Sequence, residues 1–477
     1  MTLVAGPDFV SSPRLDASGT RLAWLQWEHP DMPWDTTELW VADFADGAID
    51  NARQVMCVDG VSIVQPQWAP DGSLCAVHDA TEWWNLYRWA DPTAEADPEL
   101  MLGGEYEIGT PPWVFNMTRY APTRAGAVAA ATAQASDMVI DSDSGITRDD
   151  WSVVTQVRAY REGVVFISAT HEREPEIVKW VPGAEPEVLR TGRDLPHAPE
   201  LFAAPEHLTF ATTNGEIAHA LYYAPASSTH AAPDGDLPPL IVKAHGGPTA
   251  AARPQLQLGH RYWTSRGIGV LDVDYRGSIG YGRTFRHALR GRWGVADVDD
   301  CIAGVRHLVA EGLADPARVA IAGGSAGGFT VLAALEQSDV FAAGASRYGV
   351  ADLTVLATDT HKFESRYLDR LVGPWPEASD VYEERSPINH TEALSCPMIL
   401  LQGGEDKVVP PNQAELMMEA LDARGLPYAY VHFPEEGHGF RQADNIVTAL
   451  ESELAFFGEI FGFEPADDLP ALEIRNK

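Results

Sequence analysis

The chain has 477 residues, 45% of them apolar, and a formal net charge of −35. That length exceeds one ordinary core and predicts two domains. The charge argues against nucleic acid or an anionic membrane as partner, and no apolar run is long enough to span a bilayer.

The N-terminus shows neither a basic nor an apolar leader region, so no signal peptide is expected. Four scattered cysteines (Cys57, Cys75, Cys301, Cys396) form no C-x-x-C pair. That argues against a zinc site or a disulfide framework and fits a reducing, cytoplasmic setting.

Residues 1–204 are rich in tryptophan, short strand-like runs and turns. An internal similarity is visible. Ser12-Pro13-Arg14-Leu15-Asp16-Ala17-Ser18-Gly19 leads into the strand-like run 21–25, and Gln65-Pro66-Gln67-Trp68-Ala69-Pro70-Asp71-Gly72 leads into 73–77. Each unit then reaches a second run, 38–43 and 85–91. A strand, a tight Ser-Gly or Asp-Gly turn and a strand, repeated after roughly 50 residues, suggest propeller blades. Fainter candidates cover 120–146 and 157–189. An irregular all-β domain is the alternative.

The pattern changes near residue 205. Residues 208–211 and 218–223 read as a hairpin around Asn214-Gly215. The Ser/Ala/Pro-rich stretch 226–239 reads as loop. Apolar strand candidates then follow at 240–244, 270–274, 319–322, 342–346, 398–402 and 428–433. Helical candidates lie at 297–311, 327–337, 411–424 and 445–461. Strands alternating with amphipathic helices predict an α/β fold with a doubly wound, mostly parallel sheet over 205–477.

Gly323-Gly324-Ser325-Ala326-Gly327 sits between a strand and a helix, the context of a nucleophile elbow. A serine on a strained turn needs small neighbours. A hydroxyl nucleophile also needs a base, and the base needs an orienting carboxylate. Strand 398–402 runs into Gly403-Gly404-Glu405-Asp406, and strand 428–433 into Gly437-His438-Gly439. Ser325, Asp406 and His438 therefore follow the order Ser, acid, His. Glu405 and Asp352 are alternative acids, and His438 is one of 15 histidines. An oxyanion hole needs two N–H donors. Ala326 follows the nucleophile, and Gly247 lies in His245-Gly246-Gly247-Pro248 after the first strand of the domain. No cofactor or metal is called for.

Together with Asp274-Tyr275-Arg276-Gly277-Ser278-Ile279-Gly280-Tyr281-Gly282 and Trp293-Gly294 with Asp297, these pieces span about residues 205 to 462. They resemble the prolyl oligopeptidase family of serine peptidases, in its acylaminoacyl-peptidase and dipeptidyl-aminopeptidase branch. The resemblance implies a β-propeller followed by a C-terminal α/β-hydrolase domain. It implies Ser325 as nucleophile, Asp406 as orienting acid and His438 as base, with the backbone of Gly247 and Ala326 as oxyanion hole. His245 stands where some branches carry a tyrosine donor.

A pocket lined by Phe329, Tyr348, Val350, Leu353, Phe363 and Val409 is likewise implied, with ordinary core packing the other reading of each. Arg276 reads as a loop-fixing ion-pair partner. The implied substrates are short or N-blocked peptides. An esterase-type acyl hydrolase and a catalytically silent interaction scaffold are the alternatives.

Relatives of this kind carry seven or so blades. Here about 200 residues leave room for about four or five, at ~40–50 residues each. The expectation is an incomplete propeller with an uncovered edge. It would leave Trp24, Trp27, Trp40, Trp68, Trp83, Trp84 and Trp89 partly exposed, and would bring a homo-oligomer that covers the edge or marginal solubility.

Overall fold

Four antiparallel meanders of four strands each make up the first part of the chain. The computed structural model describes residues 2–196 and 199–477. The first meander is β1 (Phe9–Leu15), β2 (Arg21–Trp27), β3 (Glu38–Ala45) and β4 (Ala48–Met56). The second is β5 (Ile63–Trp68), β6 (Leu74–His78), β7 (Asn85–Trp89) and β8 (Glu99–Leu102). The third is β9 (Tyr120–Pro122), β10 (Ala127–Ala133), β11 (Ser136–Asp141) and β12 (Thr147–Arg148). The fourth is β13 (Val153–Tyr160), β14 (Gly163–Ala169), β15 (Glu176–Trp180) and β16 (Glu187–Arg190).

The repeat read from the sequence has a backbone counterpart. β1, β5 and β13 each carry a register shift. At each shift one residue takes positive φ: Ser12 (52°), Gln65 (54°) and Gln156 (56°). A bulge with one left-handed residue bends a strand and re-aims its side chains. The first strands of successive sheets are then laced together. Trp68 Nε1 donates to Arg14 O at 2.9 Å, Gln65 Nε2 to Tyr120 O at 2.8 Å, and Arg158 Nη1 to Thr118 Oγ1 at 2.6 Å.

Apolar residues from neighbouring sheets fill the space between them. Leu25, Leu39 and Val41 meet Ile63, Leu74 and Ala76. Val128, Ala130 and Val139 meet Val154, Phe166 and Trp180. The expectation of partly exposed tryptophans is corrected for four of the seven. Trp24, Trp27, Trp84 and Trp89 are buried, and Trp40, Trp68 and Trp83 are half-buried. The cause is local pairing: Trp24 stacks on Trp40 at 6.0 Å, Phe9 stacks on Trp27 at 5.0 Å, and Arg286 lies over Trp84 at 4.0 Å.

Contact density divides the chain into two units. The first comprises Met1–Pro196, Arg253–Leu256 and Ile279–Arg286, and the second His197–Ala252, Gln257–Ser278 and His287–Lys477. The two short stretches join the first unit through buried charge. Arg253 Nη2 donates to both oxygens of Asp137 at 2.8 Å, and Arg119 grips the same carboxylate. Burial pushes the Asp137 carboxyl up, but the two guanidiniums outweigh that and hold it well below the usual range. Arg286 pairs with Asp79.

The second unit is an eight-stranded mixed sheet. Its strands are β17 (Glu206–Ala211), β18 (Ile217–Tyr223), β19 (Leu240–Ala244), β20 (Gly269–Asp274), β21 (Val319–Gly324), β22 (Ala343–Arg347), β23 (Met398–Gly403) and β24 (Tyr428–Phe433). They lie in the order β17-β18-β20-β19-β21-β22-β23-β24. β17 and β18 form the antiparallel hairpin, and pairing is parallel from β20 onward. Asn214 and Gly215 turn it with φ of 60° and 74°.

The helices are α1 (Leu258–Thr264), α2 (Arg283–His287), α3 (Ala296–Ala310), α4 (Ala326–Gln337), α5 (Leu353–Thr358), α6 (Leu368–Leu371), α7 (Ser379–Arg385), α8 (Asn412–Arg424) and α9 (Ala443–Phe461). The central strands are buried on both faces, which is why they read as apolar runs without alternation.

Candidate active site

The turn from β21 into α4 holds Ser325 at φ 56° and ψ −122°, a conformation that costs energy for any residue with a side chain. Its neighbours explain how the turn fits. A Cβ on Gly323 would come within 2.4 Å of the Gly327 carbonyl oxygen, and one on Gly327 within 2.1 Å of the Ala244 oxygen. Only glycine lets the elbow pack against the end of β19. Ser325 N donates to Arg347 O at 3.1 Å, tying the turn to β22.

The loops after β23 and β24 bring two further groups to this turn. His438 Nε2 lies 2.9 Å from Ser325 Oγ, and His438 Nδ1 lies 2.8 Å from Asp406 Oδ2. The Asp406 side chain is fully buried, and its other oxygen accepts from Val408 N and Val409 N, each at 2.9 Å. Glu405, the neighbouring acid, is exposed. Asp352 instead caps α5, accepting from Thr354 N and Val355 N. The chain therefore brings together Ser325, His438 and Asp406, and keeps both alternative acids apart from them.

One supporting residue escaped the sequence reading. Glu436 is 3% exposed. It accepts from Arg441 N at 3.0 Å, Gln442 N at 2.8 Å and Asn445 Nδ2 at 2.9 Å, pinning the loop that carries His438. The Asn445 bond leads the interactions that hold its carboxyl below the usual range, with burial opposing. An acid two residues before the histidine was the only signal available. Tyr348, at φ 41°, sets its ring edge-on to His438 at 4.9 Å and to Phe440 at 5.2 Å.

The loop after β19 is fixed by its own network. His245 Nε2 meets Ser278 Oγ at 2.8 Å, and its ring stacks on Tyr275 at 4.2 Å. Burial pulls the His245 imidazole down to about 4, with the Gly246 carbonyl opposing, so it stays neutral. Both ring nitrogens are engaged within this loop and its neighbour, Nδ1 with Gly246 O at 2.9 Å. Arg276 is buried and pairs with Asp300 at 2.7 Å and with Glu216, the loop-fixing role read for it.

Asp297 accepts from Gly294 N at 2.7 Å and Thr330 Oγ1 at 2.6 Å. Burial lifts its carboxyl to about 6 against those bonds.

A cavity of about 490 Å³ contains the site, lined by Gly246, Gly247, Ser325, Tyr348 and His438 among others. Ala326 is the first residue of α4, immediately beyond Ser325. Of the six pocket residues implied by resemblance, Tyr348 lines this cavity. Phe329, Val350, Leu353 and Val409 are buried, Phe329 against Trp293 at 4.4 Å. Phe363 is half-buried. Among the described residues no cluster of His, Cys, Asp and Glu could hold a metal ion. No helix among them is long and apolar enough to cross a membrane.

A serine on a strand–helix elbow, a histidine and a buried aspartate at the ends of later parallel strands define the α/β-hydrolase class. The comparisons with known proteins narrow this. The model of the prolyl oligopeptidase family matches residues 254–464. A solved puromycin-hydrolyzing peptidase from Mycobacterium tuberculosis is 40% identical. That similarity covers 100% of this chain and 73% of the other, with a TM-score of 0.94. A second solved structure, a puromycin hydrolase, is also 40% identical, covering 98% and 71% with a TM-score of 0.92.

Dipeptidyl aminopeptidase BIII of Pseudoxanthomonas mexicana is 33% identical over 213 residues, which cover 43% of this chain and 31% of that protein. The match thus spans about a third of that curated relative's length. The chain belongs to the prolyl oligopeptidase family of serine peptidases.

Proposed function

We propose that this chain hydrolyses short or N-blocked peptides through an acyl-enzyme. The observation that carries the proposal is the unbroken relay from Asp406 through His438 to Ser325, at 2.8 and 2.9 Å. In this reading His438 Nε2 takes the Ser325 proton as Oγ attacks the scissile carbonyl. Asp406 holds the Nδ1–H tautomer and stabilises the imidazolium that forms. The N–H groups of Gly247 and Ala326 receive the oxyanion. His438 then protonates the leaving amine, and water repeats the sequence on the acyl-enzyme.

The substrate class draws support from the two solved relatives that match nearly the whole chain, a puromycin hydrolase and a puromycin-hydrolyzing peptidase. Puromycin, N-acetylated peptides and unblocked dipeptide amides, set against nitrophenyl esters, form the test panel. Turnover of puromycin or a peptide, lost in Ser325→Ala, is the expected outcome. Turnover of esters alone overturns the peptidase reading in favour of an esterase.

A further inference from the structure

The floor of the Ser325 cavity is polar and charged, which the hydrolytic mechanism does not require. Lys243, His260, Asp272 and Arg347 line it together with Ser325 and His438. Lys243 on β19 lies in register with Asp272 on β20 and Ala322 on β21. Arg347 is already neutralised: its Nε and Nη2 bind the buried Glu453 carboxylate at 2.6 and 2.7 Å. His260 Nε2 sits 3.7 Å from Asp272 Oδ2, and its Nδ1 is buried without a partner. The Lys243 ammonium has no hydrogen-bond or ion-pair partner among the described residues, only longer-range fields from Glu453, Arg347 and Asp272.

The charge balance of this floor is incomplete. Burial lifts the Asp272 carboxyl to about 7, with Lys243 opposing, so it is a partial anion near neutral pH. Burial lowers Lys243 to about 8, with Glu453 opposing and Arg347 adding to the shift, so the amine is mostly charged at pH 7. Burial, then Lys243 and Arg261, hold His260 at about 3, so it stays neutral. The half-buried Lys243 ammonium has only a half-neutral neighbour to offset it, and a carboxylate entering the cavity would complete the pairing.

Reach fixes where that counter-ion would come from. Ala322, beside Lys243, precedes Ser325 by three residues, roughly 10 Å of strand. The four-carbon lysine stem spans part of this. The remainder matches one or two extended residues at ~3.3–3.6 Å each.

We infer that Lys243 is the floor of a carboxylate subsite in the Ser325 cavity, selecting substrates with a carboxylate one or two residues from the scissile bond. The inference rests on the reading of Ser325 as the nucleophile. The carboxylate is either the free C-terminus of the leaving group or an acidic side chain on the acyl side.

Two substrate pairs separate these sources: an N-acetylated dipeptide as free acid or amide, and an N-acetylated nitroanilide with Glu or Gln before the scissile bond. The carboxylate member of one pair is expected to lead by about 10–100-fold in kcat/KM, the range of a charge-assisted hydrogen bond. In Lys243→Met that ratio is expected to fall to about one-tenth of its value or lower. No preference in either pair, or a preference that survives Lys243→Met, overturns the subsite.

Calorimetry on Ser325→Ala protein with N-acetylalanine and N-acetylalaninamide reads the subsite without turnover. Tighter binding of the acid sustains the subsite even if no peptide is cleaved, in which case only the peptidase reading fails. Equal binding overturns the subsite even if Lys243→Met does not fold.

Discussion

In the first unit every strand pairs with its neighbour in sequence, whereas in the second the sheet order runs β18-β20-β19-β21 and joins segments far apart in the chain. Local pairing yields four similar sheets, each stabilised by its own hairpins and by the apolar layer it shares with the next. Non-local parallel pairing gathers the C-terminal ends of several strands, and the groups that can do chemistry collect there. The β19, β21, β23 and β24 ends alone supply Gly247, Ser325, Asp406 and His438. Substitutions at these strand ends are therefore expected to abolish chemistry, and those in the core of the first unit to cost stability.

The largest effect is expected from His438→Ala, which removes the only base within hydrogen-bond distance of Ser325 Oγ among the described residues. Its kcat should fall by about 10⁴- to 10⁶-fold, measured on whichever substrate of the panel turns over best. Asp406→Asn preserves shape but presents the wrong hydrogen-bonding group to Nδ1, and should lower kcat by about 10⁴-fold. A loss under tenfold would place the orienting acid elsewhere.

Trp180 is 1% exposed in the layer between the third and fourth sheets. Trp180→Ala should destabilise the first unit by about 3–5 kcal/mol, read as a lower urea midpoint. Reactivity of Ser325 below that midpoint should change far less than in His438→Ala. A variant that loses reactivity while keeping its midpoint would break the contrast between the units.

The smallest effect concerns Glu336 near the end of α4. Burial, then the field of Glu392, raises its carboxyl from the usual 4.5 to about 9, and Oε1 is buried without a partner. The folded chain keeps this proton between pH 4.5 and 9 while the unfolded chain has lost it. Stability therefore falls as pH rises through that window. Glu336→Gln removes the dependence, so its thermal midpoint should exceed that of the parent chain more at pH 8.5 than at pH 5. An advantage that does not grow with pH contradicts the buried neutral carboxyl.

The two units also differ in how far their sequences disclose them. β19 has the bounds expected from its apolar run, because a strand buried on both faces is a continuous run between turn residues; β24, half-exposed at the sheet edge, also has the expected bounds. β4 escaped, since it is exposed along most of its length and shows no alternation. The short helices α1, α5, α6 and α7 are too brief to carry a period. Ser325, Asp406 and His438 were legible from small-residue turns at strand ends. Glu436, Tyr275 and the Lys243–Asp272–His260 floor were not, because register and loop packing join them, and neither leaves a mark on local sequence. The tryptophan expectation failed for Trp24 and Trp27 because aromatic pairing within one sheet covers residues that edge exposure alone would leave open.

Reaction with a fluorophosphonate, followed by mass mapping of the adduct, addresses the relay directly, since the reagent modifies only an activated serine. The account predicts one adduct, on Ser325, which is absent in Ser325→Ala and at least 10³-fold slower to form in His438→Ala. An adduct on another residue, or none in a folded chain, would contradict it.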